Sequence, residues 1–193
     1  MMADVDLHEV GAACLESYLQ GALKDGTRAV GHRTHRISQS NRGWLELLQR
    51  ILAKLGHKAW IYREGQTRDM WVVETSAGFL ATDYDARQLM GTVEGIHYAR
   101  GYFDAEGGMP RRIDSRLYLQ LVQKDRQSLA TLRGILRAAG IECGALHNPS
   151  VRVDPEFWRF YIRARSHRRF MRLVGSWHPI KAELIRGRLS ERH

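Results

Sequence analysis

Asp25 and Glu106 are the residues of this chain whose placement points to chemistry. Each closes a helix-forming run and is followed by glycine, in Gly21-Ala22-Leu23-Lys24-Asp25-Gly26-Thr27 and in Gly101-Tyr102-Phe103-Asp104-Ala105-Glu106-Gly107. A carboxylate at a helix C-terminus opposes the helix dipole. Two equivalent positions that both accept this cost imply a task for them. The glycine permits a sharp exit and leaves the acid at the helix tip. Small residues four apart, Ala13, Ser17 and Gly21 on one helix and Gly101 and Ala105 on the other, allow close helix packing. If the two helices meet about a two-fold axis, the carboxylates come together and repel, and a hard divalent cation relieves that repulsion. Mg2+ or Mn2+ suits such oxygen ligands, keeps waters and accepts phosphate oxygens. The reaction this supports is phosphodiester hydrolysis.

The elements that must position these acids occur twice. One helical stretch runs from Asn41 to Gly56 and another from Asp125 to Gly140, 84 residues apart at both ends. Each opens on a capping residue and stops at a glycine suited to a left-handed C-cap. Leu45, Leu48, Ile51 and Leu52 match Leu129, Leu132, Ile135 and Leu136, one buried face in each case. Gln39 and Gln123 precede them at the same offset. Extended runs over 33–38 and 116–122 lie before these helices. Hairpins over 59–62 with 70–73, and over 144–147 with 158–162, lie after them. Leading helices are predicted over 7–24 and 93–104, and closing helices from about Ser76 and Ser166. Each half therefore reads αββαββα, giving an α+β fold of two pseudo-symmetric repeats, 1–90 and 91–193.

Composition sets the partner. Lys and Arg number 30 against 21 Asp and Glu, a net charge of +9. Such a balance favours a polyanion, usually nucleic acid. Nearly all the cations are arginines, whose forked donors suit phosphate and guanine edges. Alternation in the extended runs sorts the polar residues onto one side: His32, Thr34, Arg36 and Ser38; Arg116, Tyr118 and Gln120; Arg159, Tyr161, Arg163 and Arg165. With Arg63, Lys124 and His147 beside them, two such sheets make a basic saddle for the major groove of duplex DNA. The two faces differ residue by residue, so the target is asymmetric. Other classes are excluded. Among the nine histidines and two cysteines there is no HExxH, no Cys/His zinc spacing and no Ser-His-Asp pattern. Cys14 and Cys143 lie far apart in apolar stretches and read as free thiols in a reducing compartment. The acidic N-terminus is no secretory signal and no run is long enough to span a membrane. The expected location is intracellular, in cytoplasm, organelle or nucleoid.

The two helix ends resemble the LAGLIDADG motif of homing endonucleases. Gly101, Asp104, Ala105, Glu106 and Gly107 are in register with it, and Gly21 to Thr27 looks like the shorter GxLxDGT variant of some double-motif members. The resemblance extends over almost the whole chain, through Gln123-Lys124, His147-Asn148-Pro149-Ser150 and the late Ser176-Trp177-His178-Pro179-Ile180-Lys181. It implies a sequence-specific endonuclease that binds a long duplex site and cuts both strands across the minor groove, leaving short 3′ overhangs. Asp25 and Glu106 would hold metal, Gln39 and Gln123 would order water at the scissile phosphate, and Lys181 would face the developing charge. Two motifs in one chain imply a monomer with no obligate protein partner. Flanking intein segments are absent, which points to a free-standing or intron-encoded enzyme. The other role the family includes is a non-catalytic nucleic-acid binder, either a maturase acting on intron RNA or a DNA-binding regulator. The first half lacks a counterpart of Lys181, which puts strict equality of the two centres in doubt.

Overall fold

A computed structural model describes residues 5–29, 31, 33–65 and 69–190. The first half contains α1 (Ala12–Ala22), β1 (Gly26–Ala29), β2 (Thr34–Gln39), α2 (Arg42–Lys54), β3 (Ala59–Arg63) and β4 (Trp71–Thr75). The second contains α3 (Val93–Glu106), β5 (Gly107–Gly108), β6 (Gln120–Gln123), α4 (Arg126–Ala138), β7 (Trp158–Tyr161), α5 (His167–Leu173) and α6 (Pro179–Ser190). The architecture is α+β with two antiparallel sheets, ordered β1-β2-β4-β3 and β5-β6-β7.

The repeated helices form for the reasons their sequences give. The Asn41 side chain accepts from Trp44 N and the Asp125 side chain from Ser128 N, each satisfying a donor the helix start leaves free. Gly56 and Gly140 take φ of +79° and +71°, the left-handed conformation that ends each helix. Between cap and stop, Leu45, Leu48, Ile51 and Leu52 enter one core with Ile37 and Val73 of the first sheet. Leu129, Leu132, Ile135 and Leu136 enter the other with Leu121 and Phe160 of the second.

The two cores meet along α1 and α3, which cross at a pair of glycines. A Cβ on Gly21 would lie 2.1 Å from Tyr98 O, and one on Gly101 would lie 2.0 Å from Tyr18 O. Gly21 and Tyr18 are each 80 residues before Gly101 and Tyr98, so the contact is reciprocal. Close helix packing thus rests on Gly21 and Gly101, with Ser17 buried beside them and Ala13 exposed.

Several local expectations change. No α-helix follows Ser76. The only helical turn there is 3-10, over Ala86–Leu89, capped by Asp85. In the second half the ladder begins at Gln120, leaving residues 116–119 outside any strand, and the 144–147 segment contributes a single bridge, His147 to Arg159. Ser166 precedes α5 but caps nothing there, since its hydroxyl accepts from Glu142 N at 3.0 Å. The chain then builds α6, whose first residue, Pro179, has a fixed φ and a missing N–H that suit a helix start. No helix among the described residues is long and apolar enough to cross a membrane.

Candidate active site

Both acids reach the site by the same device. In the first sheet Gly26 pairs with Ile37, and in the second Gly107 pairs with Leu121. The glutamine lies two residues beyond its paired residue in each half, so it stands opposite the helix end on the helix-facing side of the strand. Gln39 Nε2 accordingly donates to Asp25 Oδ2. Gln123 Nε2 donates to Glu106 Oε1 at 3.1 Å and to Lys24 O at 3.1 Å, tying the second helix end to the first. Both glycines have extended backbone, with φ of −103° at Gly26 and −80° at Gly107. They are needed for space. A Cβ at Gly107 would lie 2.1 Å from the Phe103 ring, and one at Gly26 would lie 2.6 Å from the Leu23 side chain.

The two ends differ in winding. α3 stays α-helical through Glu106, whereas α1 finishes in a 3-10 turn over Leu23–Asp25. Five α-helical steps separate Gly101 from Glu106, a rise of about 7.5 Å. Only four steps separate Gly21 from Asp25, but three of them lie in the 3-10 turn, and the rise is again about 7.5 Å. Tighter winding makes up for the missing residue, and both carboxylates arrive at the same level.

Lys181 completes the group. Its Nζ donates to Phe103 O at 2.6 Å, which also accepts from Gly107 N, and to Asp104 O at 2.9 Å, so it caps the end of α3. Burial pushes its pKa down to about 8, against the pull of Asp104, Glu106 and Asp25. Burial also raises Asp25, opposed by its bond to Gln39 and by Lys181. Glu106 is pushed up to about 7, first by burial and then by the charge of Asp25. Two half-buried carboxylates that each resist ionisation beside the other are a donor set that a dication stabilises. No group of three or more His, Cys, Asp and Glu side chains able to hold a metal occurs among the described residues. Two carboxylates as the donor set suit a hard ion such as Mg2+ or Mn2+, which takes one or two carboxylates and fills its remaining positions with water and phosphate oxygens.

No protein-family model matches the chain, and no curated protein matches it in sequence. The homing endonuclease I-DmoI, in complex with DNA and Ca, superposes with a TM-score of 0.69 at 17% identity, covering 92% of this chain and 99% of that one. Its complex with DNA and Mn gives 0.64 at 18% identity, covering 86% and 98%. The N-terminal LAGLIDADG domain of DUF199/WhiA gives 0.68 at 18% identity, covering 89% and 85%.

This chain has the LAGLIDADG fold. In it the open face of the first sheet carries Thr34, Arg36 and Ser38 and that of the second carries Gln120, Arg159 and Tyr161, whereas Arg116, Tyr118 and Arg163 lie beyond the strand ends and Arg165 sits in a 3-10 turn paired with Glu142. Arg36 is not a free cation, because Glu64 lies 3.5 Å and Glu74 3.7 Å from its guanidinium, and the Tyr62 ring 5.7 Å away. Glu74 also accepts from Thr34 and Tyr62, both at 2.6 Å, and sits at the centre of this face. Arg63 shares the parity of Ile61 and Trp71, so it stands exposed at the strand end on the helix-facing side. His32 lies outside the described residues. On the second sheet Arg159 donates to His147 at 3.1 Å and lies 5.2 Å from the Tyr161 ring, which stacks on His147. Arg116, Lys124 and Arg163 are exposed, and Gln120 is half-buried opposite Tyr161.

Sequence reasoning missed Asp104. It is buried, with 2% of its surface exposed. Its carboxylate accepts from Tyr18 OH at 2.7 Å, from Ser176 Oγ, and from the backbone N–H groups of Trp177 and His178 at 2.9 and 3.1 Å. Only the motif register marked it, and nothing local shows partners more than 70 residues away.

Proposed function

We propose that this chain is a divalent-metal-dependent endonuclease that binds a long, asymmetric duplex DNA site in its saddle and hydrolyses both strands. The observation that carries the reading is the convergence of Asp25, Glu106, Gln39, Gln123 and Lys181 at the paired ends of α1 and α3. The fold alone does not choose between a nuclease and a nucleic-acid binder. A binder has no use for two half-buried acids brought together at the helix ends, each with its pKa raised by burial.

A bound Mg2+ or Mn2+, held by Asp25 and Glu106, would supply the charge that polarises the scissile phosphate and favours attack by water. The chain supplies the rest. Gln39 and Gln123 hold one amide each against the acids and present a carbonyl oxygen to orient water. The Gln123 oxygen also accepts from Lys124 N at 2.8 Å, which fixes the flip of that amide. Lys181, still mostly protonated at neutral pH with its pKa near 8, provides a positive charge for the phosphate in the transition state. Phosphate contacts from Arg159, Arg163, Arg116 and Lys124 would supply affinity, and the paired aromatic and amide groups on both sheets would supply base selectivity. Two pseudo-equivalent halves in one chain make this unit sufficient as a monomer.

The test is to incubate the protein with a randomised duplex library and Mg2+, beside the Asp25→Asn/Glu106→Gln double variant, and sequence the ends. Breaks at a defined site from the unaltered protein alone are the expected result. Specific binding with no cleavage under any divalent metal would replace this reading with the non-catalytic one, and tighter binding of an intron transcript than of any duplex would point to RNA.

A further inference from the structure

Lys181 is the cation that acts on both acids among the described residues, and it stands on a helix whose starting turn is bonded to the second motif through the Asp104 carboxylate, with Arg100 donating to Val174 O just before it and stacking on Trp177. We propose that Asp104 is a positioning residue for strand cleavage, holding the 176–178 turn against the end of α3 so that Lys181 is set between the two acid-bearing tips. This rests on the endonuclease reading.

The argument begins with what one residue does twice. The Asp104 carboxylate accepts from Ser176 Oγ, Trp177 N and His178 N, which are the donors of the turn that starts α6. An anion there satisfies the Trp177 N–H at the helix start and shares the His178 N–H with Ser176 Oγ. Three residues later, Lys181 Nζ returns to the carbonyl of the same Asp104 and to Phe103 O. The turn and the lysine are thus fixed to one point on α3. The fourth bond comes from the first half: Tyr18 donates to Asp104 and accepts from Trp44 Nε1 at 2.9 Å. Trp177 packs on Tyr18 with ring centroids 4.4 Å apart and lies against the first core. The anchor therefore spans both halves, so it sets the lysine relative to Asp25 as well as to Glu106.

The first half offers a natural contrast. The residue 80 positions before Asp104 is Lys24, which has no acceptor for an incoming turn. No α-helix returns there. The corresponding stretch ends in the 3-10 turn over Ala86–Leu89, and no lysine is delivered. One acid in one motif accounts for why the pair of centres has a single lysine.

Two measurements on the full chain test this. In the first, surface acetylation followed by mass spectrometry reads the reactivity of Lys181 without metal or DNA. Asp104→Asn is expected to raise it at least about tenfold relative to exposed Lys54, because local opening frees the amine. In the second, cleavage of the duplex recovered from the library is followed in a double-variant cycle with Lys181→Met. Asp104→Asn alone is expected to lower kcat on the order of 10–100-fold with DNA affinity kept, and to add little once Lys181 is gone. If Asp104→Asn costs as much in the Lys181→Met background, or leaves Lys181 acetylation unchanged, the proposal fails. If Asp104→Asn does not fold, Ser176→Ala and Tyr18→Phe each remove one bond and are expected to shift both readouts in the same direction, and no shift in either overturns it. A protein that cuts no duplex defeats the endonuclease reading, while the acetylation result still decides the positioning.

Discussion

The two helix tips sit at the same level and hold the same kind of group, yet almost everything around them differs. At the first, a 3-10 turn delivers Asp25 beside Lys24. At the second, an α-helical end delivers Glu106 beside Asp104, with α6 and Lys181 docked on it. The surfaces diverge further. Residues 1–90 carry 11 Lys and Arg against 11 Asp and Glu, whereas residues 91–193 carry 19 against 10. The whole net charge of +9 therefore lies in the second half. What the halves share is the glycine crossing, the glycine-to-strand register and the strand-end glutamine, which together place two carboxylates. What they do not share is what acts on a phosphate once it is there. The symmetric parts define the site, and on the endonuclease reading the asymmetric parts would make the two strands and the two half-sites unequal.

The largest effect should come from the shared part. Asp25→Asn and Glu106→Gln are each expected to lower double-strand cleavage on the order of 10²–10³-fold, since each removes half of the charge available to a metal. Plasmid nicking assays would read this strand by strand. Wild-type cutting of both strands by either variant would remove that acid from the centre. A residual nick on one strand, retained with the same acid each time, would sharpen the comparison by assigning strands to tips.

Next comes the crossing itself. Gly21→Ala and Gly101→Ala would place a methyl group 2.1 and 2.0 Å, respectively, from the facing carbonyl oxygens. Each is expected to cost about 3 kcal/mol or more, at the upper end of overpacking effects, because backbone on both sides must move. Denaturant unfolding measures it. Similar losses would support a true pseudo-two-fold contact, and a loss confined to one variant would break it.

That contact, the acids and the glutamines were legible in the sequence, because each rests on a local signature repeated at a fixed offset: cap, stop, small residue, acid-glycine. The parts that were not legible depend on long-range partners. Pro179 is a helix-start signal, but without Asp104 to accept the Trp177 and His178 amides it does not indicate where α6 docks. Glu74 follows the apolar run Trp71-Val72-Val73, and only the ladder register shows it opposite Arg36. Arg63 was set beside the saddle without a parity of its own, and only the ladder register shows that it shares the side of Ile61 and Trp71. The glycines after the acids were expected for their backbone freedom, but they are required for the approach of Phe103 and Leu23.

The raised pKa of Glu106 gives a third test. In the folded protein it titrates near 7, and in the unfolded chain near 4.5. Between these values the folded form keeps a proton that the unfolded form has released. Metal-free stability therefore falls as pH rises through this window, and the penalty is complete above about 7. Glu106→Gln removes it, and is expected to stabilise the metal-free protein by about 2 kcal/mol at pH 8 with little change at pH 4. Thermal unfolding in chelator at both pH values checks it. Asp25→Asn should act in the same direction, because burial raises that acid too. Destabilisation of the metal-free protein at pH 8 by Glu106→Gln would show that the carboxylate is satisfied within the fold and is not held in reserve for a cation.

The smallest effect concerns the charge difference, and it is read on DNA of arbitrary sequence, where phosphate contacts dominate. Each phosphate neutralised contributes about 0.9 to the slope of log affinity against log salt. Arg159 on the second sheet and Arg163 just past its last strand have no acid within ion-pair distance among the described residues. Removing them as Arg159→Ala and Arg163→Ala should each lower the slope by about one. On the first sheet, Glu64 and Glu74 already occupy Arg36, so Arg36→Ala should leave the slope nearly unchanged. Glu74→Gln should raise affinity instead, by releasing that arginine to the phosphate backbone. Fluorescence anisotropy over a salt series distinguishes the variants. Equal slopes lost from the two sheets would mean that DNA displaces the glutamates on binding. The neutral half would then grip its half-site as firmly as the basic one, and the asymmetry would be confined to the tips.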